Sequence, residues 1–284
     1  MDGIIVVNKP KGLTSRDVVN KICKIFNTKK VGHTGTLDPL ATGVLIICVG
    51  KATKLVEILT SEEKEYVANV KLGILTDTLD IDGNILEEKN IILEKDKLLN
   101  VINSFKKEYM QEVPIYSAVK INGKKLYEYA RNGEDIKLPS RMVNIKNIEL
   151  LEYIDNTSYK FKTLVSKGTY IRSLINDINK GLDIIGSMSE LTRTKQGKYK
   201  LEDSYTLEDI ENNNYKLFSI TDVLKNDSCI EIDDNIFEKV KNGAILDNIY
   251  GKDEVTFVYN DEVIAIYKKY DKDNTKLKPF KMFL

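Results

Sequence analysis

Asp38 stands in a segment, GHTGTLDPLATG at residues 32–43, whose composition suits a carboxylate held for chemistry. Glycines at both ends let the backbone turn tightly and let a ligand approach closely. Pro39 restricts Asp38 to extended backbone, so the carboxylate is presented in one geometry. An isolated Asp-Pro more often opens an ordinary surface turn. Here the surrounding Gly, Thr and His residues, and the apolar run at residues 44–49 that follows, favour a working carboxylate. A carboxylate in a closed pocket is costly unless a cation offsets it, and VSKGTYIR at residues 165–172 offers one in Arg172. If a helix opens at Thr169 or Tyr170, Arg172 falls in its first turn, where the backbone also favours an anion. A guanidinium beside Asp38 would stabilise it as a nucleophile, whereas a single arginine elsewhere is most often surface.

The other chemistry-bearing residues are more ambiguous. His33 is the single histidine of the chain, and a lone histidine is more often a hydrogen-bonded structural group than a catalyst. Tyr66, in KEYV at residues 64–67, reads either as a strand aromatic or as a stacking platform for a base, an interaction worth about 1–3 kcal/mol per base. There is no phosphate-binding P-loop, no strand-linked GxGxxG and no GxSxG. TDTLDIDG at residues 76–83 resembles a calcium loop only superficially, since its closing acid would fall on Lys89. The three cysteines, Cys23, Cys48 and Cys229, are far apart and form no CxxC. No disulfide framework or zinc site is expected, and a reducing cytoplasm fits.

Positioning these groups requires a scaffold, and the hydrophobic pattern gives a mixed one. Residues 4–7 and 44–49 read as buried strands, and Thr14 or Ser15 caps a helix to about Phe26, with Val18, Val19, Ile22 and Ile25 on one face. Residues 66–72 alternate and lead to the turn signal Asp82-Gly83, a hairpin-like region. Further strands are predicted at 116–121, 143–153 and 159–165, and helices at 92–105, 126–132 and 170–180. Strands and helices alternate without the regular spacing of βαβ units, so the fold class is α+β, a mixed and largely antiparallel sheet with flanking helices. Composition shifts near 212–214 and 225–228, dividing the chain into domains at 1–224 and 225–284. The second, with short β-like runs at 254–259 and 263–267, is small enough to lean on the first.

Zero net charge argues against a generic nucleic-acid coat, but the charge is unevenly placed. Residues 1–60 carry nine Lys/Arg against four Asp/Glu, and 160–200 nine against three. Residues 62–100 carry five against ten, and 227–258 three against eight. A polyanion could meet a basic face while the acidic segments lie elsewhere, although charge blocks are commonly solvated surface. No stretch approaches the roughly 20 apolar residues of a membrane span.

Together these segments resemble the bacterial tRNA pseudouridine synthase B family. The resemblance runs in order through GIIVVNKPKGLTS (3–15), residues 32–43, Tyr66 with 76–83, YSAVK (116–120) with GKKLYEYAR (123–131), SKGTYIR (166–172) and LTR (191–193). It implies a pseudouridine synthase fold acting on uridine 55 (tRNA numbering) of the T-arm, with Asp38 catalytic and Arg172 its ion-pair partner. Tyr66 matches the tyrosine that stacks on the flipped base, Tyr170 and Leu191 match active-site walls, and His33 matches a histidine that contacts RNA. Lys9 and Pro10 match a motif supporting the active-site loop, and Lys9 and Lys120 are grouped with the substrate-binding residues. Asp38 would promote cleavage of the N1–C1′ bond by attacking sugar or uracil, or as a base. No metal or organic cofactor is implied, the partner is tRNA, and a monomer is the default. The last 60 residues resemble a small PUA-type RNA-binding domain, and residues 268–284, with six lysines against two acids, suit a phosphate contact. A non-catalytic RNA-binding module of the same fold would keep Tyr66 and the basic face but need not keep Asp38 or Arg172.

Overall fold

The computed structural model of the chain describes residues 1–154, 156–226 and 228–284. Residue 227, within the composition shift at 225–228, lies outside them. Strand β1 (Gly3–Lys9), helix α1 (Ser15–Ile25), β2 (Val31–His33) and β3 (Thr42–Val49) open the chain. Thr14 caps α1, accepting from the Asp17 amide while the Asp17 carboxylate accepts from Thr14, which fixes where the helix starts. β1 and β3 pair antiparallel along their whole length. Their runs at 4–7 and 44–49 are continuously apolar because both faces are covered. Ile5, Val7, Leu45 and Ile47 join Val18, Val19 and Ile22 of α1 in the main core. Ile4, Val6, Val44 and Ile46 join a second cluster on the opposite face.

The chain continues through α2 (Val56–Thr60), β4 (Lys64–Leu72), the hairpin β5 (Ile74–Thr76) and β6 (Ile85–Glu88), and α3 (Lys95–Ser104). Next come β7 (Glu108–Glu112), the hairpin β8 (Lys120–Ile121) and β9 (Lys124–Lys125), and α4 (Leu126–Arg131). Then follow β10 (Ser140–Ile154), β11 (Ser158–Val165), α5 (Ile171–Leu182), β12 (Gly186–Gln196) and β13 (Tyr199–Lys200). The main sheet has nine strands in the order β1-β3-β12-β4-β11-β10-β7, with β2 beside β3 and β13 beside β12. Among its described pairs only β12 with β3 is parallel. β4 and β11 alternate, Tyr66, Ala68, Val70, Tyr159 and Phe161 turning inward beneath Leu174, Ile175 and Ile178 of α5.

Two elements depart from the sequence pattern. Residues 116–121 form a strand only at Lys120–Ile121. The preceding stretch turns back on the start of α4, where the amides of Leu126 and Tyr127 donate to the carbonyls of Val119 and Ser117 at 2.9 and 3.2 Å, so these two carbonyls are answered without a ladder. The central strand β12 reads as polar in sequence, yet Ser187, Arg193 and Gln196 are all buried in it.

After α6 (Leu207–Glu211) and α7 (Ile220–Leu224) comes a five-stranded sheet. It is made from β14 (Ile230–Glu231), β15 (Leu246–Asp247), β16 (Glu254–Tyr259), β17 (Glu262–Tyr270) and β18 (Asp273–Met282), with α8 (Asp234–Lys241) beside it. Val258, Val263, Ile266 and Phe283 of this unit lie in the same cluster as Ile4, Val6, Val44 and Ile46, so it packs on the outer face of β1 and β3. Among the described residues no helix is long and apolar enough to cross a membrane.

The loop that carries Asp38 is closed by the junction of β3 and β12. Gly43 pairs with Arg193 there, at φ +99°, and a Cβ at Gly43 would stand 2.3 Å from the Arg193 carbonyl oxygen. Gly43→Ala should therefore lower stability by at least about 2 kcal/mol in urea unfolding. An unchanged midpoint would mean that the two strands do not approach so closely.

Candidate active site

Asp38 is held from both sides. The Ser15 hydroxyl accepts from the Leu37 amide at 2.8 Å and lies 3.2 Å from its carbonyl. The carbonyl of Pro39 accepts from the Gly12 amide at 2.8 Å and from Lys9 Nζ at 3.4 Å. Leu37 and Leu40 plug into the main core. With its neighbours pinned, the carboxylate has little freedom except to face outward, and its side chain keeps 33% of its exposure.

What it faces is Arg172. Tyr170 is the N-cap of α5, so Arg172 lies in the first turn, as the spacing anticipates. Arg172 Nε stands 3.0 Å from Asp38 Oδ2, and Nη2 donates to Oδ1 at 3.2 Å, a two-pronged pair. The remaining donors reach the carbonyls of Thr78 at 2.9 Å and Tyr116 at 3.0 Å. The guanidinium is thereby taken out of water, at 6% exposure, with a carboxylate and two carbonyls as partners. A second carboxylate, Asp80 Oδ2, lies 3.9 Å from Nε. Burial pushes the Asp80 carboxyl above its ordinary range, against the pull of the Thr78 hydroxyl and Arg172. Sequence reasoning missed Asp80, and the acid-rich turn at 76–83 was the available signal.

The ion pair opens onto a cleft of about 330 Å³ walled by Tyr116, Tyr127 and Tyr170. The β8–β9 hairpin and α4 form one side of it, stiffened by Lys124 over Tyr129 at 4.5 Å and Arg131 over Tyr127 at 5.3 Å. The helix bearing Arg172 is registered by the edge strand β7. Gln111, fully buried, accepts from the Tyr170 amide at 2.8 Å and donates to the Tyr109 hydroxyl at 2.8 Å. Tyr109 in turn donates to Asp177 of α5 at 3.0 Å. Ser173 adds a bond to the Glu112 carbonyl at 2.8 Å.

The structure brings together Asp38, Arg172 and Tyr170. Tyr66 and Leu191 lie in the sheet, each 6% exposed, and the Tyr66 hydroxyl is 3.5 Å from Arg193 Nη1. His33 is half-buried in β2, its Nδ1 accepting from the Gly35 amide at 3.3 Å. Burial, with help from Arg16 and Arg193, holds that imidazole below its usual value. Lys120 is exposed on β8. Lys9 is fully buried, and its ammonium donates to the carbonyls of Pro10 and Leu13 at 2.9 and 2.6 Å as well as to Pro39. It braces the loop from below and offers no surface to a molecule in the cleft, unlike the contact residue with which the sequence grouped it.

Arg193 was not singled out from sequence. It too is fully buried, donating from Nε to the Val44 carbonyl at 2.6 Å and from Nη2 to the Gly35 carbonyl at 3.1 Å. Among the described residues no group of three or more His, Cys, Asp or Glu could hold a metal ion. The arrangement can present one oriented carboxylate, backed by a guanidinium, to a flat ligand between aromatic walls.

Comparison with known proteins points to one family. Residues 23–171 match the model of the TruB family pseudouridylate synthase (N terminal domain). The chain is 46% identical to a tRNA pseudouridine synthase B of Clostridium tetani, over 95% of this chain and 96% of that one. It is 42% identical to one from Caldanaerobacter subterraneus, over 94% of each. Among solved structures it resembles a chain of a Cbf5-Nop10-Gar1 complex, with TM-score 0.75 and 29% identity, covering 99% of this chain and 85% of that one. A chain of an H/ACA RNP bound to a substrate RNA containing 2'-deoxyuridine gives 0.73 and 27%, with the same coverage.

The buried lysines make a stability signature. Burial lowers Lys9 and Lys64 from 10.5 to about 8. Between those values the unfolded chain holds more protons than the folded one, so stability rises with pH, by up to roughly 2 kcal/mol per lysine from pH 8 to about 9.5. Burial raises Tyr109, Tyr159 and Tyr199, which reverses the slope above about pH 10, where unfolded tyrosines ionise first. Urea unfolding across pH 8–11 should show this climb and turn, with a smaller climb in Lys9→Met. A flat line from pH 8 to 10 would contradict it.

Proposed function

The chain belongs to the TruB family of pseudouridylate synthases, and on that premise we propose that it converts uridine 55 in the T-loop of tRNA to pseudouridine, with Asp38 as its catalytic carboxylate. The observation that carries this reading is the two-pronged Asp38–Arg172 pair at the mouth of a tyrosine-walled cleft.

A uridine packed in the tRNA elbow must be extruded before chemistry, at a cost of a few kcal/mol. Aromatic walls offset part of that by stacking. By the family resemblance Tyr66 is the tyrosine that stacks on the extruded base and Leu191 a wall position, both 6% exposed in the sheet here, while Tyr170 forms a wall of the cleft itself. Asp38 then promotes breaking of the N1–C1′ bond, by attack or as a base. The uracil turns, C5 bonds to C1′, the C5 hydrogen leaves as a proton and N1 ends protonated. Atoms and electrons balance without a co-reactant. Arg172 keeps the Asp38 carboxylate in one orientation through these steps, and Asp80 adds a second carboxylate 3.9 Å from the same Nε.

RNA contacts would come from His33 and Lys120 around the cleft and from the C-terminal unit, residues 225–284, read as a PUA-like domain beside the catalytic domain at 1–224. Lys268 and Lys281 lie 3.8 and 4.6 Å from the Phe280 ring centroid, each also paired with a carboxylate, Glu254 at 3.2 Å and Glu57 at 2.8 Å, so a nucleic-acid backbone would have to take them over from those acids. On this reading the chain acts on tRNA as a monomer in the cytoplasm, without an obligatory protein partner.

Incubation with an unmodified T-arm hairpin, followed by nucleoside analysis, tests the proposal. One pseudouridine should appear, at the position of uridine 55, without added metal or nucleotide. Asp38→Asn should abolish product while hairpin affinity stays within a few-fold. Normal turnover by that variant would remove Asp38 from the chemistry, and product at another position would refute the site assignment.

A further inference from the structure

Arg141 lies on β10 directly across from Gln111 of β7, and both residues grip the same neighbour. Gln111 holds the main chain of Tyr170 through its amide. The Arg141 guanidinium carbon stands 5.5 Å from the centroid of the Tyr170 ring. Its stem is pressed against the turn just before that tyrosine. A Cβ on Gly168 would come within 3.3 Å of Arg141 Cδ and Nη1, and Gly168 itself is at φ +83°. The left-handed turn favours a glycine there, and a side chain would crowd the arginine.

The side chain is therefore fixed by packing alone. Among the described residues its guanidinium has no hydrogen-bond or carboxylate partner. Arg172 and Arg193 differ, for their donors are spent on a carboxylate and on carbonyls. On the neighbouring strand Lys162 is paired with Glu65 at 3.0 Å. A half-buried guanidinium with an unspent fork of donors is a preformed receptor for a two-oxygen anion.

We propose that Arg141 is a phosphate-binding residue of the RNA site, its fork taking a backbone phosphodiester beside the target uridine. The inference rests on the reading of the cleft as the uridine site. An extruded nucleotide enters base first, which leaves its flanking phosphates at the mouth, where Tyr170 forms the wall. RNA carries no carboxylates, and phosphate oxygens match the guanidinium fork. The contact carries no sequence information and fixes the register of the strand on the protein.

The test measures T-arm hairpin affinity between 50 and 200 mM salt for the wild-type chain, Arg141→Ala, Arg141→Lys and, as a control for loss of one positive charge, Lys200→Ala. Lys200 pairs with Glu202 on the exposed surface. Arg141→Ala should weaken binding about tenfold at 100 mM salt and reduce the slope of log affinity against log salt by about 0.7–0.9. Arg141→Lys should restore the slope but only part of the affinity. The rate at saturating RNA should stay within about twofold of wild type in both variants, since a positioning contact is recovered once RNA is bound. Lys200→Ala should leave affinity and slope unchanged. Unchanged affinity and slope in Arg141→Ala would overturn the proposal. So would a rate loss at saturating RNA with unchanged affinity, which would make Arg141 only a prop for Tyr170. Failure of the wild-type chain to bind or modify the hairpin would instead defeat the reading of the cleft.

Discussion

Three stretches of chain, remote in sequence, end on the guanidinium of Arg172: the loop carrying Asp38, the turn at Thr78 and Asp80, and the strand-to-hairpin connection at Tyr116. Removing such a group from water costs several kcal/mol unless its donors are matched. The surrounding fold supplies matching partners only when all three stretches are in place. A displaced loop would leave a buried cation short of its carboxylate, and a displaced Tyr116 would leave an N–H bond unmade. The pair therefore makes the geometry of the cleft and the stability of the chain interdependent.

Beneath the loop the electrostatics take an unusual form. Lys9, Lys64 and Arg193 are buried, and their hydrogen bonds go chiefly to main-chain carbonyls rather than to acids. Carbonyl dipoles can hold a cation in place without cancelling its charge, so a positive field persists under the strand-to-loop junction. Asp38 is the anion that Lys9 senses most strongly. Such an arrangement is costly for folding, as burial of both lysines shows, but it favours negative charge above it. Anionic RNA and a catalytic carboxylate both benefit from that field.

Much of this was legible in the sequence where local chemistry and burial agree. The apolar runs of β1 and β3, the capped α1, the alternating β11 and the position of Arg172 in the first turn of α5 follow from patterns of a few residues. The Asp38 and Arg172 pairing was implied by the family resemblance, the Asp-Pro loop and the cation near a helix start offering Arg172 only as a candidate. β12 was not legible, since its buried residues include Ser187, Arg193 and Gln196, whose hydrogen-bond partners lie on α2, β3, β4, β5 or the Asp38 loop and are invisible to periodicity. Asp80 and Gln111 were hidden for the same reason. Their importance comes from atoms contributed by Arg172 and Tyr170, some 60 to 90 positions away. Residues 116–119 alternate like a strand but spend their backbone on α4, which no local pattern encodes.

The most direct measurement is the single-turnover rate of Arg172→Lys on a prebound T-arm hairpin. Lysine keeps the charge but not the fork that spans both Asp38 oxygens and two carbonyls. The rate should fall by at least about 100-fold, equivalent to about 3 kcal/mol of transition-state stabilisation, while affinity for the hairpin changes by no more than a few-fold. A near-wild-type rate would contradict the claim that the oriented ion pair, rather than a nearby positive charge, makes Asp38 effective.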